Sequence, residues 1–199
     1  MALTTTARRT ALLLSSGLVA LGAVACTPAE SGVSTDAKPS AATSDKAAGA
    51  ATDKAAEAPK QAAKIGDTIG LKGFDKAETA DVAAVKIVDP AEPGDEFFKP
   101  ADGKRWVAVQ FRIKPTGSKA YSDAPFNSAK VVDAEGQAYG TTLAETKAGK
   151  SFEGSTNIAP NETGLGFVTF EVPKEAKIDK VQFTLDSGMA PQTGQWKLS

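Results

Sequence analysis

Arg105-Trp106-Val107-Ala108-Val109-Gln110-Phe111-Arg112-Ile113-Lys114 decides the fold. Val107, Val109, Phe111 and Ile113 fall on one side of an extended chain, with Ala108, Gln110 and Arg112 on the other, the period-2 signature of a strand with one core face and one wet face. Gly164 to Val172 repeats it, setting Val168, Phe170 and Val172 against Thr169 and Glu171 before Pro173 stops the run. Lys180 to Asp186 adds Val181, Phe183 and Leu185, and Asp81–Val88, Lys130–Asp133 and Thr68–Lys72 supply further strands. Asp133-Ala134-Glu135-Gly136 fits a type I turn closed by a left-handed glycine, which predicts a hairpin joining Val131-Val132 to Tyr139.

These runs are confined to residues 65–199, a length that suits one core and not two. No helical stripe interrupts them, and Gly, Pro, Asn and Asp separate the runs at intervals. The expectation is all-β, an antiparallel Ig-like β-sandwich of about seven to nine strands. The absence of a Cys-Trp-Cys spacing excludes a true antibody-type domain.

Outward from the domain the composition changes. Residues 27–64 are mostly Ala, Lys, Ser, Thr, Asp, Glu and Pro, with too little apolar surface to offset the entropy of ordering. Two related phrases, Ser44-Asp45-Lys46-Ala47-Ala48-Gly49-Ala50 and Thr52-Asp53-Lys54-Ala55-Ala56-Glu57-Ala58, are too short for stable isolated helices. The reading is a disordered tether. As a flexible coil it spans on the order of 35 Å.

Before it, Arg8 and Arg9, an apolar run from Ala11 to Ala25 and Leu21-Gly22-Ala23-Val24-Ala25-Cys26 make an export signal ending in a lipobox. The run is 15 residues, short of the roughly 20 that span a bilayer. Cys26 is the single cysteine of the chain, so no internal disulfide can use it. The reading is residues 1–25 as signal peptide, 26–64 as lipidated Cys26 plus tether and 65–199 as the sandwich. That places a lipid-anchored protein on the extracytoplasmic face of the cell membrane. Plain secretion after Ala25 is the alternative. Arg8-Arg9 leaves export through the twin-arginine or the general route open.

Val88-Asp89-Pro90, Gly103-Lys104-Arg105-Trp106-Val107-Ala108-Val109, Val132-Asp133-Ala134-Glu135-Gly136 and Gly166-Phe167-Val168-Thr169-Phe170-Glu171-Val172-Pro173 carry a family resemblance. In these segments the chain resembles the telokin-like domain of Gram-positive bacterial lipoproteins and is similar to the mycobacterial immunoprotective extracellular antigen fold. The resemblance implies an Ig-like sandwich held outside the cell. It supplies no catalytic residues to carry over. The chain departs from the family pattern at Lys114-Pro115-Thr116-Gly117 and Pro160-Asn161-Glu162, both in turns.

Chemistry is narrowed mainly by what is missing. The chain has no histidine, which removes the Ser-His-Asp triad, the Cys-His pair and histidine zinc sites. No Ser-x-x-Lys occurs. Ala144-Glu145-Thr146-Lys147-Ala148-Gly149-Lys150-Ser151 has a loose phosphate-loop spacing but no helix follows to gather backbone amides on a phosphate. The acidic stretch Asp89-Pro90-Ala91-Glu92-Pro93-Gly94-Asp95-Glu96 could offer oxygens to Ca²⁺, but it matches no EF-hand spacing and reads as a solvated connector. The expectation is therefore no enzyme, no cofactor and no metal. If the domain were a hydrolase or metal-dependent enzyme after all, Asp89, Glu92 and Asp95 are the carboxylates to inspect. A purely structural or antigenic wall protein is the third reading.

Binding to an envelope or extracellular protein would need exposed apolar surface, for which Phe97, Phe98, Trp106 and Tyr121 are the candidates, against the alternative that they plug one end of the sandwich. Trp196 reads as core. Charge gives no nucleic-acid footprint: 23 basic and 24 acidic residues nearly balance, and loss of Arg8 and Arg9 with the signal tips the remainder slightly acidic.

Overall fold

The computed structural model describes residues 32–38 and 63–198. Its strands, in chain order, are β1 (Gly32–Ser34), β2 (Thr68–Lys72), β3 (Thr79–Ala91), β4 (Lys104–Pro115), β5 (Tyr121–Asp123), β6 (Ala129–Asp133), β7 (Ala138–Tyr139), β8 (Thr141–Thr142), β9 (Thr156–Ile158), β10 (Gly164–Pro173), β11 (Ile178–Thr184) and β12 (Gln192–Lys197). One sheet runs β1-β12-β11-β6-β7 and faces a second, β2-β3-β4-β10-β8, while β5 and β9 pair as a short ribbon. The pairings are antiparallel, apart from β1 beside β12 and isolated bridges such as Lys64 with Lys197. No helix among the described residues is long and apolar enough to cross a membrane.

The alternating runs build the interior. From β4, Val107, Val109, Phe111 and Ile113 are fully buried, and they meet Val168, Phe170 and Val172 of β10 and Val181 and Phe183 of β11 in one cluster. Trp196 joins it from β12, with Phe111 tilted against Phe183 at 5.0 Å between ring centroids and edge-on to Trp196 at 6.3 Å. The buried indole N–H donates to the Asp67 carbonyl at 2.9 Å, so burying this tryptophan strands no donor. The Asp133–Gly136 hairpin forms as read: Val131 pairs with Tyr139, Gly136 takes φ 88°, and its N–H donates to the Asp133 carbonyl.

Three expectations are corrected. The second face of β4 is wet only toward its C-terminal end, where Arg112 and Lys114 are exposed, because Trp106 and Ala108 pack with Ala91 and Phe167 in a separate small cluster. Residues 142–148 lie over that face, tied down by the Thr169 hydroxyl to the Ala144 carbonyl and by Lys147 N–H to the Glu92 carbonyl. The strand count exceeds nine, the surplus being pieces of two or three residues too short to display an alternation. Finally, Gly32–Ser34, inside the stretch read as a disordered tether, is an edge strand in parallel register with Gln192–Gly194. The segment is further held by Lys38 N–H to the Thr68 carbonyl, Ala63 N–H to the Thr35 carbonyl and a 2.7 Å ion pair between Lys38 and Asp81.

Candidate functional site

The two ends of the sandwich carry most of its polar chemistry. At the first, where β3 hands over to β4 and β10 to β11, Arg105 is the hub. Its guanidinium grips Asp89 through Nε and a terminal nitrogen at 2.6 and 2.8 Å and donates to the carbonyls of Pro173, Lys174 and Ala176. The Asp89 hydrogen bond keeps this guanidinium above its ordinary pKa. Nearby, the Asp133 carboxylate accepts from the Tyr139 hydroxyl at 2.7 Å and from the amides of Glu135 and Gln137, which hold it below the usual carboxylate range. Burial alone would raise Glu171, but the Ala101 amide, Lys104 and the Trp106 indole together pull it down. Each of these groups is committed to fastening one loop to another.

The acidic loop is divided in the same way. Asp89 belongs to Arg105, Glu92 faces Lys147 at 3.3 Å, and Asp95 accepts the amides of Phe97 and Phe98. The three carboxylates face different partners. Among the described residues no group of three His, Cys, Asp or Glu side chains is placed to hold a metal ion.

The proposed aromatic patch does not assemble. Phe97 and Phe98 stand out at 91% and 65% exposure. Trp106 is buried beneath the 142–148 segment, and Tyr121 lies in the main core, at the other end of the molecule. Cys26 lies outside the described residues.

The second end, where β2 turns into β3 and β11 into β12, has a different character. Asp123 accepts the amides of Ala124 and Ser187 and the hydroxyls of Ser128 and Ser187. Asp186 accepts the Phe74 amide at 2.7 Å, binding the Gly73–Glu78 turn to the Leu185–Gly188 turn. Glu78 sits among these acids; burial first and the Asp186 charge second push its pKa up. Burial, with Asp123 adding to it, raises the Tyr121 hydroxyl as well. Asp75 is held down by Lys119, 2.5 Å away. On top of this polar frame Phe74 and Met189 point outward, and Val33 of β1 stands exposed on the adjoining edge. Sequence reading passed over all three. A signal existed: Gly73-Phe74-Asp75 and Gly188-Met189 set large apolar residues within turn chemistry, where no strand can bury them.

Between the ends, Phe126, Leu143, Phe152 and Phe167 line an open groove of about 190 Å³. Its polar side chains are Thr142, Glu145, Ser151 and Thr169, and the Ser151 hydroxyl donates to the Glu145 carboxylate at 3.3 Å.

Similarity to known proteins follows the fold. The chain is 32% identical over 121 residues to the Bacillus subtilis protein named Uncharacterized protein YxkC, covering 56% of this chain and 63% of that one. It thus spans less than two thirds of that relative's length. A crystal structure of ycdA from Bacillus subtilis, a candidate lipoprotein, superposes with a TM-score of 0.50 at 14% identity over 69% of this chain and 39% of that chain. The secreted Mycobacterium tuberculosis protein MPT63 gives a TM-score of 0.49 at 15% identity over 67% of this chain and 94% of that one. The resemblance seen in the strand motifs is borne out at the level of family and sandwich. Residues 75–192, running from the turn after β2 into the start of β12, match the family described as Domain of unknown function (DUF4352), and the chain belongs to that family.

Proposed function

We propose that this protein is a lipid-anchored, extracytoplasmic lipoprotein whose sandwich is a non-catalytic binding or assembly module of the cell envelope. The observation that carries the reading is the lipobox-like Leu21–Cys26 stretch behind Arg8, Arg9 and an apolar run, followed within six residues by a strand on the edge of the domain. The non-catalytic part rests on the way the polar groups are used. Asp89, Glu92 and Asp95 face separate partners, and Arg105, Asp133 and Glu171 fasten loops. A neighbour in fold being a candidate lipoprotein agrees with the anchor.

Metabolic labelling with an alkyne-bearing palmitate tests the anchor directly. The wild-type chain takes label and fractionates with membranes, and Cys26→Ser abolishes both while leaving a folded sandwich. A wild-type chain that takes no label overturns the anchor in favour of plain secretion. Crosslinking in living cells followed by mass spectrometry tests the binding role; no reproducible partner would refute it.

A further inference from the structure

From the exposed apolar residues at the second end, and resting on the proposed anchor at Cys26, we infer that Phe74, Met189 and Val33 form a contact surface for the lipid bilayer itself. Their exposures are 67%, 68% and 55%, and apolar side chains left open on neighbouring segments mark contact surfaces. Three segments present them, and these segments are hydrogen bonded to one another. The Phe74 amide donates to Asp186, the Gly32 amide to the Pro191 carbonyl, and the Lys72 amide to the Gln192 side chain. The patch is thus a fixed feature of the fold, held from below by the Asp186 turn.

The occupant follows from the length of chain between the anchor and the domain. Only residues 27–31 separate Cys26 from Gly32. Even fully extended, that leash spans about 20 Å. With β1 paired to β12, the edge next to Met189 cannot stand off from the headgroups by more than that distance, whereas a tether released through residue 64 would reach far further. The exposed aromatic and thioether side chains suit the boundary between headgroups and acyl chains. Phe97 and Phe98 are as exposed but lie at the far end, away from the leash, and so serve as the internal control.

Full-length, lipidated protein in vesicles of phosphatidylethanolamine and phosphatidylglycerol with brominated acyl chains provides the test, using Phe74→Trp, Met189→Trp and Phe97→Trp. The native Trp106 and Trp196 are buried and contribute a constant background. Emission added at positions 74 and 189 should fall about twofold or more, since an interfacial side chain sits about 5–10 Å into the headgroup boundary. Emission added at position 97 should not change. Equal quenching at 74 and 97 in a palmitate-labelled sample overturns the lipid contact and leaves the anchor standing. Failure of the wild-type chain to take palmitate removes the anchor, and the contact surface falls with it.

Discussion

Both ends of the sandwich gather a few carboxylates among the loops that join its strands, yet they hold their acids in opposite ways. At the Arg105 end a single guanidinium collects Asp89 and three backbone carbonyls, and the carboxylates Asp133 and Glu171 are stabilised in their charged forms. At the Phe74 end Glu78 is raised, with Asp123 and Asp186 close by and only backbone amides and hydroxyls answering them. One end is electrostatically closed. The other keeps a carboxylate that Lys119 offsets only in part, beneath an exposed apolar cap. The Arg105 end fastens loops together, and the Phe74 end is the one that the proposed lipid contact concerns.

Removing the hub of the closed end should have the largest effect. Arg105→Ala leaves Asp89 and three carbonyls, two of them partly buried, without their donor, and unfolding in urea should show a loss of about 3 kcal/mol. Arg105→Lys should recover less than half of it, because an ammonium cannot span Asp89 and the carbonyls of Pro173 and Ala176 at once. A full rescue by lysine would show that charge alone, and not the planar fork, holds that end together.

The open end has a steric weak point of its own. The Gly117 amide donates to the Thr79 carbonyl, and a Cβ placed on Gly117 would land on the Ala77 carbonyl oxygen, with the carbonyl carbon only 2.9 Å away. The turn carrying Phe74 would have to move. Gly117→Ala should therefore cost about 2 kcal/mol. It should also raise hydrogen exchange in the Gly73–Glu78 turn while leaving the Arg105 end protected. Equal exchange changes at both ends would argue that the two do not behave as separate units.

How much of this could be read in advance depended on whether a residue's partner was local. The strands β4, β10 and β11 and the Asp133–Gly136 hairpin were legible because period-2 alternation and a left-handed glycine are properties of the chain itself. β12 was not, although Trp196 was placed in the core. In Gln192-Thr193-Gly194-Gln195-Trp196-Lys197 the second inward position is Gly194, and the space where its side chain would go is occupied by the Trp196 ring and Leu71. The alternation is physically present and chemically silent. Trp106 and Tyr121 failed as a surface patch for a related reason, since burial of Trp106 is decided by a segment nearly forty residues away in sequence. β1 left no trace in composition, because an edge strand of Gly32, Val33 and Ser34 is held through backbone pairing.

The smallest effect gives the sharpest discrimination between the ends, because it changes sign. Glu78 has a folded pKa above its ordinary value of 4.5, so between that value and the folded pKa the native state binds more protons than the unfolded chain. Stability contributed by this group therefore falls as pH rises through that window, and at neutral pH the ionised Glu78 is a net cost. Glu78→Gln should raise stability at pH 7 by a few tenths of a kcal/mol, and the gain should vanish as pH drops below the ordinary glutamate value. Glu171 runs the other way: its folded pKa is depressed, so its stabilising contribution is complete above the ordinary value and is lost as pH falls through the folded one. Glu171→Gln should accordingly lower stability at pH 7 and become neutral in acid. Melting temperatures of the two variants and the wild type, followed from about pH 3 to pH 8 across the ordinary carboxylate range, should give difference curves of opposite sign that converge in acid. Curves of the same sign would mean that Glu78 finds a counter-charge in solution, and the asymmetry between the two ends would be one of shape alone.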